Sequence, residues 1–78
     1  MAENDTYNIG FEYISDTVAH TGRFWKLYAV ADAVINTATV SNASGNTFSA
    51  VPLSHGDSIE GVFTSVTLTS GKIVAYKL

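Results

Sequence analysis

A chain of 78 residues has room for one small domain and not for two. It contains no cysteine, which excludes a disulfide framework and a Cys-based zinc site. Lys and Arg number 4 against 7 Asp and Glu, for a net charge of -3 and no cationic surplus for a polyanion, while 46% hydrophobic and 12% aromatic residues exclude a disordered chain.

The elements read as strands throughout. No stretch carries apolar residues at helical spacing with a polar opposite face, and Val, Ile and Thr run high along the whole chain. Residues 1–6 form a polar arm, followed by a single β-domain over residues 7–78. Strand one spans Tyr7 to Ile14, where Tyr7, Ile9, Phe11 and Tyr13 alternate with Asn8, Gly10 and Glu12, a half-buried pattern. Ser15 to Gly22 connects it to strand two, Arg23 to Ala31. There Trp25, Leu27 and Ala29 share one face and Phe24, Tyr28 and Val30 the other. Both faces are apolar, so this strand is central or covered by a partner.

Asp32 turns or bulges the chain into strand three, Ala33 to Ser41, which ends at the turn cluster Asn42-Ala43-Ser44-Gly45-Asn46. Strand four is short, Thr47 to Val51, and Pro52 closes it. His55-Gly56-Asp57 is a further turn. Strand five covers Ser58 to Phe63 and strand six Ser65 to Thr69, with a bulge near Thr64 resetting the alternation between Phe63 and Val66. Ser70-Gly71 reads as a two-residue hairpin loop into strand seven, Lys72 to Lys77. In that hairpin Leu68 faces Ile73 and Val66 faces Ala75, all on the core side, with Thr67, Val74, Ser65 and Tyr76 opposite. Turns recurring about every ten residues predict an all-β fold, a small antiparallel sandwich or partly open barrel of six or seven short strands.

A domain this small buries only about 60% of its unfolded surface and usually needs a disulfide, a metal or an oligomer. Only 14% of the residues are charged, against about 25% in ordinary domains. Association is therefore expected, although nine Thr and eight Ser could also solvate a monomer. The opening Met1-Ala2-Glu3-Asn4-Asp5 has no basic segment followed by an apolar one, and the longest apolar run, Tyr28 to Ala31, is far short of a membrane span. The expectation is a chain made in the cytosol, without a membrane partner.

Each chemical motif has a plainer explanation. His55, Asp57 and Ser58 are the residue types of a hydrolytic triad, but they fall within four residues, and no Gly-x-Ser-x-Gly elbow is present. Turn chemistry explains them better. His20 and His55, with Asp16 or Asp57, lack metal-ligand spacing. Arg23, Phe24, Trp25, Lys26 and Tyr28 could stack and clamp single-stranded nucleic acid, but four cations in an acidic chain release few counterions. The sequons at Asn4 and Asn42 carry no meaning without a signal peptide. The expected protein is not an enzyme and takes no cofactor, no metal and no nucleic acid. Its most informative residues are apolar ones on exposed faces, such as Val74 and Tyr76 opposite the inferred core; Trp25, Tyr28, Val74 and Tyr76 are the expected interface anchors.

The run Gly56-Asp57-Ser58-Ile59-Glu60-Gly61-Val62-Phe63-Thr64-Ser65-Val66-Thr67-Leu68-Thr69-Ser70-Gly71-Lys72-Ile73-Val74-Ala75-Tyr76-Lys77 resembles the ending of small virion structural proteins of tailed bacteriophages, with its Gly-x-Phe-Thr and Ser-Gly-x-x-x-Ala-Tyr spacing. Residues 23–41 resemble their first half, and the match covers about two-thirds of the chain. The resemblance implies a capsid decoration or cement protein on the virion surface. Such a protein binds the major capsid protein lattice as a homo-oligomer, a trimer being one such assembly, and has no catalytic residues to carry over. A head- or tail-fibre or vertex component that adsorbs to the host is the alternative. A phage-encoded inhibitor inside the cell is a third reading.

Overall fold

The computed structural model describes residues 9–78. The arm expected over residues 1–6, and Tyr7 and Asn8 of the first expected strand, lie outside the described residues. Six strands follow: β1 Phe11–Ile14, β2 His20–Ala29, β3 Ala33–Val40, β4 Val51–Leu53, β5 Ser58–Ser70 and β6 Ile73–Lys77. They form one antiparallel sheet in the order β1-β6-β2-β5-β3-β4. The fold is all-β, as expected. Among the described residues the strands number six, because the expected strands five and six are one continuous β5. The bulge at Thr64 lies within it: Thr39 pairs with Ser65 and Val40 with Phe63, so Thr64 is the extra residue. That insertion lets Phe63 and Val66, three positions apart, both face the core.

No helix among the described residues covers the sheet. Yet the inner-facing residues are buried even on the two edge strands, Ile14 on β1 and Leu53 on β4, with nothing but the sheet itself to cover them among the described residues. A flat sheet would leave that face open to water. The sheet therefore rolls over so that one half of its inner face covers the other, as in a small sandwich or open barrel. Phe24, Phe63, Leu27, Ile35 and Leu68 fill the space between them.

The expected β5–β6 hairpin is corrected. Leu68 does not face Ile73, because β2 lies between the two strands. Ile73 pairs with Ala29 and Ala75 with Leu27 on β2, whereas Leu68 pairs with Ile35 on β3. The assigned faces hold: Leu68, Val66, Ile73 and Ala75 are all buried. The links β2→β3 and β5→β6 are arches that cross to non-adjacent strands, and they stack on each other. Gly71 takes a φ of +89°, and a Cβ there would run into the Asp32 carbonyl oxygen and the Ala33 backbone. The Val30 N–H donates to the Lys72 carbonyl at 3.2 Å across the same contact.

Two more expectations change. β4 is Val51–Leu53 and not Thr47 to Val51, with Pro52 inside the strand opposite Val34. An edge strand needs its N–H groups on one side only, so proline is tolerated there. β1 turns Ile14 into the core and Phe11 and Tyr13 outward. An alternating pattern identifies an apolar face but does not say which side of the sheet that face occupies.

Candidate functional site

The outer face of β1, β6 and β2 is built by a bulge. Lys77 pairs with Phe24 and Tyr76 with Lys26, which leaves Trp25 as the extra residue of β2. Phe24 therefore joins Leu27 and Ala29 in the core at 1% exposure, while Trp25 is outside at 40%. This reverses the sequence reading, which set Trp25 with Leu27 and Ala29 and put Phe24 on the other face. A one-residue insertion flips every side chain on one side of it.

Across the three strands the registers place Phe11, Tyr76 and Lys26 in one row, continued by Glu60 on β5. Tyr13, Val74 and Tyr28 form the next row, continued by Ser58. The four expected anchors Trp25, Tyr28, Val74 and Tyr76 thus share one face. The Trp25 and Tyr76 ring centroids are 6.0 Å apart at an interplanar angle of 39°, and Phe11 meets Tyr76 edge-on, also at 6.0 Å. The Lys26 Nζ sits 5.7 Å from the Trp25 ring centroid. Sequence reasoning missed Phe11 and Tyr13 as members, although their alternation with Gly10 and Glu12 was the signal; both are more than half exposed. β6 and β2 each pair on both sides, so the rings stand on a rigid platform.

No protein-family model, curated protein or solved structure matches the chain.

β1, which carries Phe11 and Tyr13, is also held by a side-chain clasp. His20 Nδ1 lies 2.5 Å from Glu12 Oε2, and His20 Nε2 lies 2.7 Å from Asp16 Oδ1. The ring nitrogens point at different carboxylates on opposite sides of the imidazole, so no single point is open to all three as metal ligands. Among the described residues no group of His, Asp and Glu could hold a metal ion. The bonds to Asp16 and then Glu12 raise the pKa of His20 above its ordinary 6.5. The bond to His20 lowers that of Asp16 below 3.8.

The clasp therefore has a window. The His20 contribution is full below pH 6.5 and is lost as pH climbs through the raised value. The Asp16 contribution is full above pH 3.8 and is lost as pH falls through the lowered value. His20→Gln is expected to lower the thermal midpoint at a pH inside this window and to converge on wild type in mildly alkaline buffer. Melting curves at both pH values test this; an equal deficit at both would exclude an ionic clasp.

The segment with the residue types of a triad is a turn. Asp57 Oδ2 accepts from the Ser54 N–H at 2.9 Å, and Asp32 Oδ1 accepts from the His55 N–H at 2.9 Å. The Gly56 N–H donates to the Ala29 carbonyl at 2.8 Å, which docks this turn on the end of β2. Asp57 thus satisfies local backbone donors, in keeping with turn chemistry. Asn42 has a similar role: its Oδ1 accepts from the Val62 N–H at 2.9 Å and ties the loop after β3 to β5.

Proposed function

We propose that this chain is a non-enzymatic structural protein of a bacteriophage virion, a decoration or cement protein that binds the major capsid protein lattice as a homo-oligomer. The supporting observation is the outer face of β1, β6 and β2. Aromatic side chains there are contiguous, stand on β6 and β2, which pair on both sides, and on the edge strand β1, and have no layer of the fold above them among the described residues. Aromatic residues are enriched where one protein packs on another, and a preformed platform avoids much of the ordering cost of binding. The resemblance of the β5–β6 region to small virion proteins adds the particle as the setting.

Such a protein acts by linkage. It binds the assembled lattice in preference to the free subunit and so shifts the equilibrium toward the intact shell. Tyr28, Val74, Trp25 and Tyr76 supply apolar contact, and no covalent chemistry is required of the chain.

The test is copy number on gradient-purified particles, measured by mass spectrometry against the major capsid protein. The expected result is a ratio near one, or a simple fraction set by lattice symmetry. A few copies per particle would instead favour the fibre or vertex reading, in which the same rings meet a host surface. Absence from particles would overturn both.

A further inference from the structure

Charge is segregated in this fold. The chain's cations are Arg23, Lys26, Lys72 and Lys77; three lie on β2 or β6, and Lys72 immediately precedes β6. No carboxylate of the described residues forms an ion pair with any of them; the ion pairs among the described residues are those of His20. The carboxylates are engaged elsewhere: Glu12 and Asp16 on His20, Asp32 on the His55 N–H and Asp57 on the Ser54 N–H. Glu60, opposite Lys26, is the one described carboxylate on this side of the sheet. Lys26, in register with Tyr76, lies on the outer face, and Lys72 shares the outward parity of Val74 and Tyr76, whereas Lys77, opposite the buried Phe24, belongs to the inner side. A net-acidic protein thus sets Lys26 and Lys72 beside an aromatic face, neither of them ion-paired among the described residues.

We propose that the outer face of β1, β6 and β2 docks an acidic protein surface of the particle, and that a second copy of this chain is not its occupant. The inference rests on the virion reading and names the chemistry of the partner. The rings pack on the apolar part of that surface, and Lys26 and Lys72 meet its carboxylates. Charge argues against a second copy: pairing two copies of this face would set Lys26 and Lys72 against an equally cationic surface, with Glu60 the one described carboxylate on it to offset them. Three strands of about five residues cover roughly 250 Å², against about 800 Å² per partner in a standard interface. A small footprint suits repeated engagement of a lattice by an oligomer, where avidity replaces single-site affinity. Single-stranded nucleic acid is disfavoured by the rings themselves. Phe11 packs edge-on against Tyr76 and Lys26 stands over Trp25, whereas base stacking needs open ring faces.

Trp25 is the only tryptophan, so its emission reports directly on this face. Full-length protein is titrated onto shells of the major capsid protein assembled without it, at rising NaCl, and its oligomeric mass is measured by analytical ultracentrifugation. Wild type is expected to bind with a shift in Trp25 emission and to weaken as salt rises. The Lys26→Glu/Lys72→Glu variant is expected to bind at least about tenfold more weakly. Its oligomeric mass, and that of Trp25→Ala/Tyr76→Ala, is expected to match wild type. Undiminished binding by the charge-reversed variant overturns the inference alone. Loss of the oligomer in Trp25→Ala/Tyr76→Ala shows that a second copy occupies the face. A Trp25 emission shift with oligo-dT at the same salt shows a nucleic-acid face. Failure of wild type to bind shells at all overturns the virion reading and this inference with it.

Discussion

Phe63→Ala is expected to lower the unfolding free energy by roughly 3–5 kcal/mol, the cost of truncating a fully buried aromatic in a core that cannot collapse around the gap. Phe63 has no exposed surface. It pairs with Phe24 on β2 and with Val40 on β3, and its ring meets that of Phe48 edge-on at 6.4 Å. Three strands and the loop after β3 thus converge on one side chain. At ~0.05–0.15 kcal/mol per residue, the whole domain is stable by only about 4–12 kcal/mol. The substitution therefore removes a large share of the total, and an urea midpoint measured against wild type reads it. Phe11→Ala, on the outer face, is the control and is expected to stay within about 1 kcal/mol. Equal losses at the two positions would mean that the core is not centred on Phe63.

Gly71→Ala is expected to cost roughly 3 kcal/mol, from a left-handed backbone that an alanine resists and from steric overlap that cannot relax. At φ +89° the residue carries the first cost, and the Asp32 carbonyl oxygen and Ala33 backbone impose the second. Backbone atoms of a stacked arch cannot rotate aside as a flexible side chain would. Gly45→Ala separates the two costs, because Gly45 has a φ of +109° but nothing within 4 Å of an added Cβ. The Gly45 variant is expected to lose about 1 kcal/mol, the conformational part alone. Thermal melts of the pair measure the arch contact as the difference. Equal losses would mean that the two arches do not press on each other.

Much of the fold was readable because side-chain alternation is a local property. Leu68, Val66, Ile73 and Ala75 fall on the core side by alternation alone and are buried there. The Thr64 bulge was visible as a break in that alternation. Strand partners were not readable, because Ser70-Gly71 has the same chemistry in a hairpin as in an arch. What decides between them is whether a third strand, here β2, fits between the two, and that depends on residues far along the chain. Trp25 illustrates a second limit. Phe24 and Trp25 are adjacent and both large and apolar, so nothing local says which one the bulge turns inward. The outer face was legible in part: Tyr28, Val74 and Tyr76 follow from alternation, while Phe11 and Tyr13 needed the side of the sheet to be known.

The strand order also bears on how the chain reaches this structure. Of the five neighbouring pairs, only β3 with β4 joins strands consecutive in sequence. β1 waits for β6, with Phe11 meeting Tyr76, and β2 waits for both β5 and β6. Little of the sheet can form before β5 and β6 have been made, because loop closure precedes most of the contacts that reward it. Folding is therefore a cooperative event that needs β6, on the slower side for a domain of this size. Until β6 arrives, the apolar stripes of β2 and β5 stand uncovered, and the nascent chain is most exposed to aggregation during that interval.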